Sequence, residues 1–307
     1  MRVFKGIDQY DRSEETCLTT GTFDGVHVGH RKIIQMLNDI AGREGRRSVM
    51  LTFHPHPRKV LFPDDHGLEL LTTMEEKLEL LEAAGLDDVI IHPFSKDFSR
   101  FNAVEYVRDL LVNGLRMRHM VIGYDHHFGR NREGDIHQLR DMAPLYDFKV
   151  TEISAQDIDD VNVSSTKIRT ALQEGEVATA NTYLGYKYSF RGNVVRGKNR
   201  GKDLGFPTAN VEILDDTKLI PKNGVYAVDA HLNGVAYRGM MNIGHNPTFE
   251  KEGARSIEVN LFDFDRDIYG MQVKVELLKY LRSEKRYTDV SALKAQMEID
   301  KQDAQVG

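Results

Sequence analysis

The sequence of 307 residues contains only one cysteine, and its basic residues do not outnumber its acidic ones. Cys17 has no partner for an internal disulfide, which is typical of proteins from a reducing compartment. The first fifteen residues, MRVFKGIDQYDRSEE, lack the apolar segment of a secretory signal. No segment approaches the roughly 18 apolar residues of a membrane-spanning helix. These absences predict a soluble, cytoplasmic protein with no membrane partner.

The charge balance also argues against a nucleic-acid partner. The net charge is −6, from 41 basic and 47 acidic residues. The chain therefore has no overall positive field that would attract a polyanion. Its length exceeds a typical domain of roughly 100 to 200 residues and favours two domains.

The first part of the chain, residues 1–185, alternates strand-like and helical patterns. A helical pattern at 73–84 begins with Thr73 and Glu76 at capping-box spacing. Runs rich in β-branched and apolar residues predict strands at 16–20, 48–53, 88–91, 119–122 and 148–153. This order predicts an α/β domain with a parallel sheet, whose ligands bind where the strands end.

The second part, residues 186–307, has a different pattern, and the domain boundary is placed between residues 185 and 186. Its strand-like runs follow one another with only Gly, Asn and Pro turns between them, at 189–195, 209–213, 225–231, 236–243, 256–262 and 272–281. Such a succession predicts a small antiparallel β-barrel. An amphipathic segment at 290–304 predicts a C-terminal helix.

The motif GTFDGVHVGH, residues 21–30, joins a predicted strand to a helix that starts near Val28. The first N–H groups of a helix are unpaired and lie at the positive end of its dipole, so they attract phosphate. His27 and His30 are three residues apart and share one face of the first turn. They could donate hydrogen bonds to a phosphate whose charge is redistributed. The alternative is a surface turn with two solvated histidines.

Three further segments carry candidate site residues. FHPHP, residues 53–57, supplies His54 and His56; as zinc ligands they would need a Cys or carboxylate partner, and none has suitable spacing. GYDHHFGR, residues 123–130, follows another predicted strand. VSSTKIR, residues 163–169, places hydroxyl and basic side chains at a helix start. Such a Ser-Ser-Thr sequence is usually an N-cap, but the basic residues make it a candidate triphosphate clamp.

A second phosphate-site pattern, RGNVVRGKNRGKDLGFPTAN, spans residues 191–210. Glycines let backbone amides approach a phosphate, and the basic side chains neutralise it. The alternative is an RG-rich RNA-binding segment, but those are usually of low complexity, whereas this one leads into a strand. Thr208 and Asn210 share one strand face, and their oxygens suit Mg²⁺. Glu258 lies on the polar face of a later predicted strand, where most carboxylates are merely solvated.

Taken in order, these segments resemble the prokaryotic bifunctional FAD synthetase family over essentially the whole chain. The first part resembles its adenylyltransferase module, with the HxGH signature at residues 27–30, and this implies a Rossmann-like or flavodoxin-like domain. The second part resembles its riboflavin kinase module, including GVYAV (224–228), NIGHNPTF (242–249) and residues 281–300. The resemblance implies that ATP phosphorylates riboflavin to FMN, and that a second ATP adenylates FMN to FAD and pyrophosphate. Mg²⁺ serves both steps.

The resemblance also implies roles for residues, with Glu258 as the general base of the kinase and His27 and His30 as catalytic phosphate contacts. The other ATP contacts of the adenylyltransferase are Gly21, Thr22, Phe23, Asp24, His56, Asp125, Ser164, Ser165, Thr166 and Arg169. The ATP contacts of the kinase are Gly197, Lys202, Gly205, Thr208 and Asn210. Its Mg²⁺ ligands are Thr208 and Asn210, and its flavin contacts are Glu258 and Arg282.

Two positions depart from the family pattern. His126 stands where Phe is usual, which leaves no aromatic packing role assigned to it. Asn246 stands where many relatives carry Arg or Lys, so it is assigned no phosphate contact.

Two other functions stay open. The chain could adenylate a different phosphorylated acceptor, or it could be a flavin- or nucleotide-binding regulator without catalysis. A regulator needs no base, whereas Glu258 is present. FMN is already ionised at neutral pH, so its attack on ATP needs positioning and charge stabilisation, but the riboflavin hydroxyl must lose a proton. The oligomeric state is not predicted.

Overall fold

The computed structural model describes residues 1–11, 13–64, 67–154, 163–197, 205–245, 255–285 and 287–306. The chain divides into two compact units, Met1–Ser164 and Ser165–Gly307. The sequence predicts the boundary later, between residues 185 and 186, so that two helices would belong to the first domain instead of the second. That boundary stays a prediction. Among the helices of the described residues, none is both long and apolar enough to cross a membrane.

The first unit is built on a six-stranded parallel sheet in the order β1-β4-β3-β2-β5-β6. The strands are β1 (Arg2–Phe4), β2 (Thr16–Thr20), β3 (Arg47–His54), β4 (Asp88–Pro93), β5 (Met117–Gly123) and β6 (Lys149–Ile153). The chain runs outward from β2 to β4 and then returns to β5 on the other side of β2. In Rossmann-like sheets a crevice forms at this reversal, at the carboxyl ends of the strands. The predicted α/β fold is confirmed.

Helices cover both faces of this sheet. They are α1 (Val28–Glu44), α2 (Pro57–Leu61), α3 (Met74–Ala83), α4 (Ala103–Glu105), which continues as the π-helix Tyr106–Gly114, and α5 (Ile136–Tyr146). Single 3₁₀ turns occur at Ile7–Gln9, Phe98–Arg100 and Arg130–Arg132. Neighbouring residues of β2 point to opposite faces, so Cys17 belongs to one buried apolar cluster and Leu18 to the other. Thr73 and Glu76 form the predicted capping box of α3.

The second unit is a closed antiparallel barrel with helices before and after it. Its strands are ordered β10-β11-β8-β7-β12-β9 around the barrel. They are β7 (Ser189–Val195), β8 (Ala209–Ile213), β9 (Gly224–Leu232), β10 (Val235–His245), β11 (Arg255–Leu261) and β12 (Gln272–Arg282). The helices are α6 (Ser165–Glu174), α7 (Val177–Leu184) and α8 (Val290–Gln305). The predicted barrel and C-terminal helix are confirmed.

The contacts that hold helix α8 against the barrel include an ion pair, a hydrogen bond to a backbone carbonyl and apolar packing. Arg282 of β12 donates Nε and Nη2 to the buried carboxylate of Asp300, at 2.8 and 2.7 Å. Arg238 of β10 donates Nη1 to the Ala304 carbonyl at 3.0 Å. Leu293, Met297 and Asp300 of this helix line a cavity at this side of the barrel.

Candidate active sites

The first unit contains a cavity of about 910 Å³ at the carboxyl ends of its strands. Thr20 and Gly21 enter it from the end of β2, and Gly123 from the end of β5. Because these two strands flank the reversal of strand order, the cavity lies at the switch point where α/β sheets bind ligands. Its position agrees with the sequence-based expectation for the first site.

The turn between β2 and α1 is held in an unusual conformation. Phe23 and Val26 have φ values of 46° and 36°, in the left-handed region that residues other than glycine rarely adopt. Behind the turn, the ammonium group of Lys77 donates to the Thr22 carbonyl at 2.8 Å, although Lys77 is only 6 % exposed. Burial lowers the pKa of Lys77, while the nearby Asp24 raises it. This buried contact fixes one edge of the turn.

His27 is the N-cap of α1, since its Nδ1 accepts a hydrogen bond from the His30 N–H at 3.3 Å. A neutral imidazole that accepts at Nδ1 carries its proton at Nε2. The His27 and His30 rings are stacked, with centroids 3.6 Å apart and planes at 16°. The cap therefore fixes the tautomer and orientation of His27 and brings the second ring over it.

His30 has the properties of a neutral hydrogen-bonding group. Burial first, and then the neighbouring His27 and Lys77, hold its pKa well below the ordinary value. Its Nδ1 is buried without a hydrogen-bond partner in the described part of the chain, and the residue lines the cavity. A buried polar atom without a partner is unfavourable, so a ligand that bonds to it is stabilised.

An aromatic wall, defined here by six rings, lines part of the cavity. Tyr106 also shares a 2.8 Å hydrogen bond with Thr20, which ties the wall to the end of β2. The rings form a connected set with centroid separations of 5.5 to 6.3 Å: Phe53, Phe94, Phe98, Phe101, Tyr106 and Phe128. Such a wall suits a flat, largely apolar ring system.

The second unit contains a smaller cavity, of about 240 Å³, between the barrel and α8. Thr208 and Glu258 line it, and the Thr208 hydroxyl donates to Glu258 Oε2 at 3.2 Å. Asn210 of β8 pairs with Glu258 of β11 across the sheet, so both side chains occupy the same face. The three predicted residues therefore lie together.

Gly197 lies against Asn210. A Cβ atom built on this glycine would be 1.9 Å from Asn210 Nδ2, which no real contact allows. Only glycine permits the Asn210 side chain to keep this position.

Two family models match separate parts of the chain, and the relatives match nearly all of it. A family model described as FAD synthetase matches residues 9–167, and one described as riboflavin kinase matches residues 184–306. A bifunctional riboflavin kinase/FMN adenylyltransferase from Listeria monocytogenes is 40% identical over 93% of this chain and 90% of its own length. The protein of the same name from Bacillus subtilis is 39% identical over 96% of this chain and 93% of its own length. The chain belongs to the bifunctional riboflavin kinase/FMN adenylyltransferase family.

A solved structure from Streptococcus pneumoniae, described as a macrolide-efflux protein, has the same fold throughout. It is 30% identical, covers 99% of this chain and 98% of its own, and has a TM-score of 0.89. This structural likeness covers both units of the chain.

Six of the twelve residues that the sequence assigns to the adenylyltransferase site line the first cavity: Gly21, Thr22, Phe23, His30, His56 and Asp125. His27 is not among the lining residues and reaches the site through its stacking on His30. Asp24 does not line the cavity either. Its buried carboxylate accepts backbone hydrogen bonds from Leu71 and Thr72 at 3.0 and 3.1 Å, so it holds two loops together instead. Asp24 is therefore better described as a residue that supports the turn.

The candidate triphosphate clamp lies at the start of α6, where the division between the units falls, and consists of Ser164, Ser165, Thr166 and Arg169.

In the kinase, Arg282 lines the cavity, but its guanidinium group is paired with Asp300, which raises the pKa of Arg282. Gly205 has a φ of 84°, in the left-handed region. Lys202 and Asn246 lie outside the described residues.

Possible metal-binding groups lie elsewhere as well. His56 Nδ1 accepts from the Arg58 N–H as the N-cap of α2, a contact that competes with zinc. At the opposite end of the sheet, the ligand atoms of Cys17, Glu44 and His119 lie within 4.8 Å of one another. Glu44 accepts from Lys149 at 2.9 Å and also pairs with Arg46, and burial raises the pKa of Cys17 to about 11. This group is therefore better explained as an ion-pair network than as a metal site.

Sequence reasoning missed the aromatic wall and Lys77. The segment HPFSKDFSRF, residues 92–101, has Phe94, Phe98 and Phe101 at spacings of four and three residues, and this was a signal for only part of the wall. Lys77 gave none, because a lysine within an amphipathic helix usually faces solvent.

Proposed function

We propose that the chain phosphorylates riboflavin with ATP in the barrel unit and adenylates FMN with ATP in the α/β unit. The observation that carries the proposal is a different polar grouping beside each of two cavities, one lined by Thr208 and Glu258 and the other lined by His30. One groups a carboxylate with hydroxyl and amide oxygens around Glu258, and the other stacks His27 and His30 beside an aromatic wall. Each grouping suits one of the two reactions.

In the kinase cavity, Glu258 takes the proton of the riboflavin 5′-hydroxyl, which is a poor nucleophile while protonated. The Thr208 hydroxyl, 3.2 Å away, orients this carboxylate. The oxygens of Thr208 and Asn210 on the same face are the donors that Mg²⁺ prefers, so the donor set fits this ion. Bound there, Mg²⁺ would neutralise charge on the phosphates of ATP.

In the adenylyltransferase cavity, the FMN phosphate attacks the α-phosphate of ATP, and no base is required. The N-terminus of α1 and the two imidazoles supply hydrogen bonds where charge develops. The aromatic wall holds the flavin ring.

Several expectations from the sequence belong to this proposal. They are a domain boundary between residues 185 and 186, a cytoplasmic location, Mg²⁺ in both steps, and no nucleic-acid or membrane partner. ATP contacts are further assigned to Ser164, Ser165, Thr166 and Arg169 in the adenylyltransferase, and to Gly197, Lys202 and Gly205 in the kinase. The position of Arg282 at the kinase cavity supports its assignment as a flavin contact.

The test is to incubate the full chain with riboflavin and Mg·ATP and to separate the products by chromatography. FMN and FAD are expected, and the absence of both would refute the proposal. Glu258→Gln should lower FMN formation at least about 100-fold while FAD still forms from added FMN. His30→Ala should do the reverse, slowing FAD formation about tenfold or more. Glu212→Gln, an exposed carboxylate on β8, is the matched control and should change neither rate.

If the wild-type chain forms FMN but no FAD, the first unit uses a different acceptor. If Glu258→Gln leaves FMN formation at the wild-type rate, the assignment of the base is wrong.

A further inference from the structure

One ring in the adenylyltransferase cavity carries a polar atom that the reaction proposed above does not use. His126 follows β5 and lines the cavity together with Phe128. Its Nε2 is buried and has no hydrogen-bond partner among the residues that the structure describes. Buried polar atoms almost always have a partner, so this nitrogen is accounted for if a ligand supplies one.

The ring of His126 continues the aromatic wall. Its plane is stacked on Phe128 at 6.1 Å and 21°, and Phe128 is stacked on Tyr106 at 5.8 Å and 28°. The backbone N–H of His126 donates to the Gly123 carbonyl at 3.1 Å, which fixes the backbone of His126 at the end of β5. A planar ligand that lies along the wall therefore meets the imidazole at one end.

The imidazole is neutral at physiological pH. Burial, and then the nearby His127 and Arg132, lower the pKa of His126 to about 4. A neutral imidazole has one N–H donor and one nitrogen acceptor. The imidazole therefore complements a ring edge that has both carbonyl and N–H groups. It has no positive charge that would attract a phosphate.

We propose that His126 Nε2 hydrogen-bonds to the polar edge of the flavin ring and so strengthens the binding of FMN in this chain, where relatives usually carry Phe. The assignment rests on the proposed adenylyltransferase function of this cavity. The flavin ring has carbonyl and N–H groups along one edge and a methylated benzene ring at the other end. The wall accommodates its apolar part, and His126 recognises its polar edge.

The test is His126→Phe, which keeps a ring of similar shape and removes both nitrogens. In steady-state assays of FAD formation by the full chain, the KM for FMN should rise about tenfold, the effect of one lost hydrogen bond. The kcat and the KM for ATP should stay within about threefold of wild type. His126→Asn, which restores a donor and an acceptor, should recover part of the affinity. His137→Phe, an exposed histidine of α5, is the matched control and should have no effect.

Thermal unfolding without ligand separates recognition from a structural role. Because His126→Phe removes an unsatisfied buried nitrogen, the Tm should stay the same or rise while FMN affinity falls. A lowered Tm together with a raised KM would overturn the proposal in favour of a structural role. A raised KM for ATP alone would assign the residue to the adenine instead, and an unchanged KM for FMN would also overturn it. If wild type forms no FAD, the proposed function itself fails.

Discussion

The buried carboxylate of Asp88 anchors the edge of the parallel sheet. Arg2 donates to it through Nε and Nη2, both at 2.7 Å, and Arg47 donates at 2.6 and 2.8 Å. Tyr10 adds a hydroxyl at 3.1 Å. Burial alone would raise the pKa of Asp88, but the hydrogen bonds from the two arginines outweigh it and lower the pKa to about 2. The carboxylate therefore stays ionised although its side chain is fully buried.

Asp88→Asn keeps the shape of this side chain and removes its charge. The shift from 3.8 to about 2 corresponds to roughly 2 to 3 kcal/mol of unfolding free energy at pH 7, at about 1.4 kcal/mol per unit. Since the folded-state pKa is depressed, this stability is present above about pH 4 and is lost as the pH falls toward 2. The difference between wild type and variant should shrink to about half at pH 3.

Urea unfolding followed by circular dichroism measures this difference, with the transition of the first unit fitted separately. Asp97→Asn is the matched control, because the side chains of Asp97 and Arg100 are 89% and 76% exposed and form an ordinary surface pair. It should change stability by no more than a few tenths of a kcal/mol. The reasoning is refuted if Asp88→Asn is as stable as wild type at pH 7, or if the difference does not shrink in acid.

Three further predictions concern the two sites and the thiol. Lys77→Met should slow FAD formation about tenfold without affecting FMN formation, because it removes the buried donor to the Thr22 carbonyl; equal loss of both products would contradict this. Gly197→Ala should lower FMN formation at least about tenfold and spare FAD formation from FMN, since its Cβ would displace Asn210; an unchanged kinase rate would contradict it. With its pKa raised to about 11, Cys17 should react with a thiol reagent at pH 8 more than about tenfold slower in the native than in the unfolded chain; equal rates would contradict burial.

The fold was predictable because the periodicity of the chain changes where its architecture changes. Five strands of the α/β unit and all six of the barrel were expected close to their observed positions. The strand Arg2–Phe4 was missed because three residues are too few for a pattern. This strand is held by its pairing with β4 and by the ion pair to Asp88, and both contacts join residues more than 80 positions apart in the sequence.

The arrangement of site residues was predictable where one short segment determines both the backbone conformation and the functional side chains. His27 and His30 are three residues apart, so their proximity follows from the helix alone. The aromatic wall was not predictable, because its rings come from positions 53 to 128 and each one alone looks like a core residue. Asp24 was placed in the site because it belongs to the motif, yet the turn around it directs its carboxylate to Leu71 and Thr72. Side-chain direction in an irregular turn is set by tertiary contacts that periodicity does not report.

The two sites differ in the residue type that each reaction requires. Burial keeps the pKa of His30 well below its ordinary value, and a group that holds its proton so weakly is a poor general base. It remains an uncharged hydrogen-bonding partner, which is sufficient when the nucleophile is already an anion. The riboflavin hydroxyl is not an anion, so the kinase needs a base. We propose Glu258, beside the hydroxyl of Thr208, for that role. The charge on each nucleophile thus explains why we propose a carboxylate for one reaction and buried imidazoles for the other.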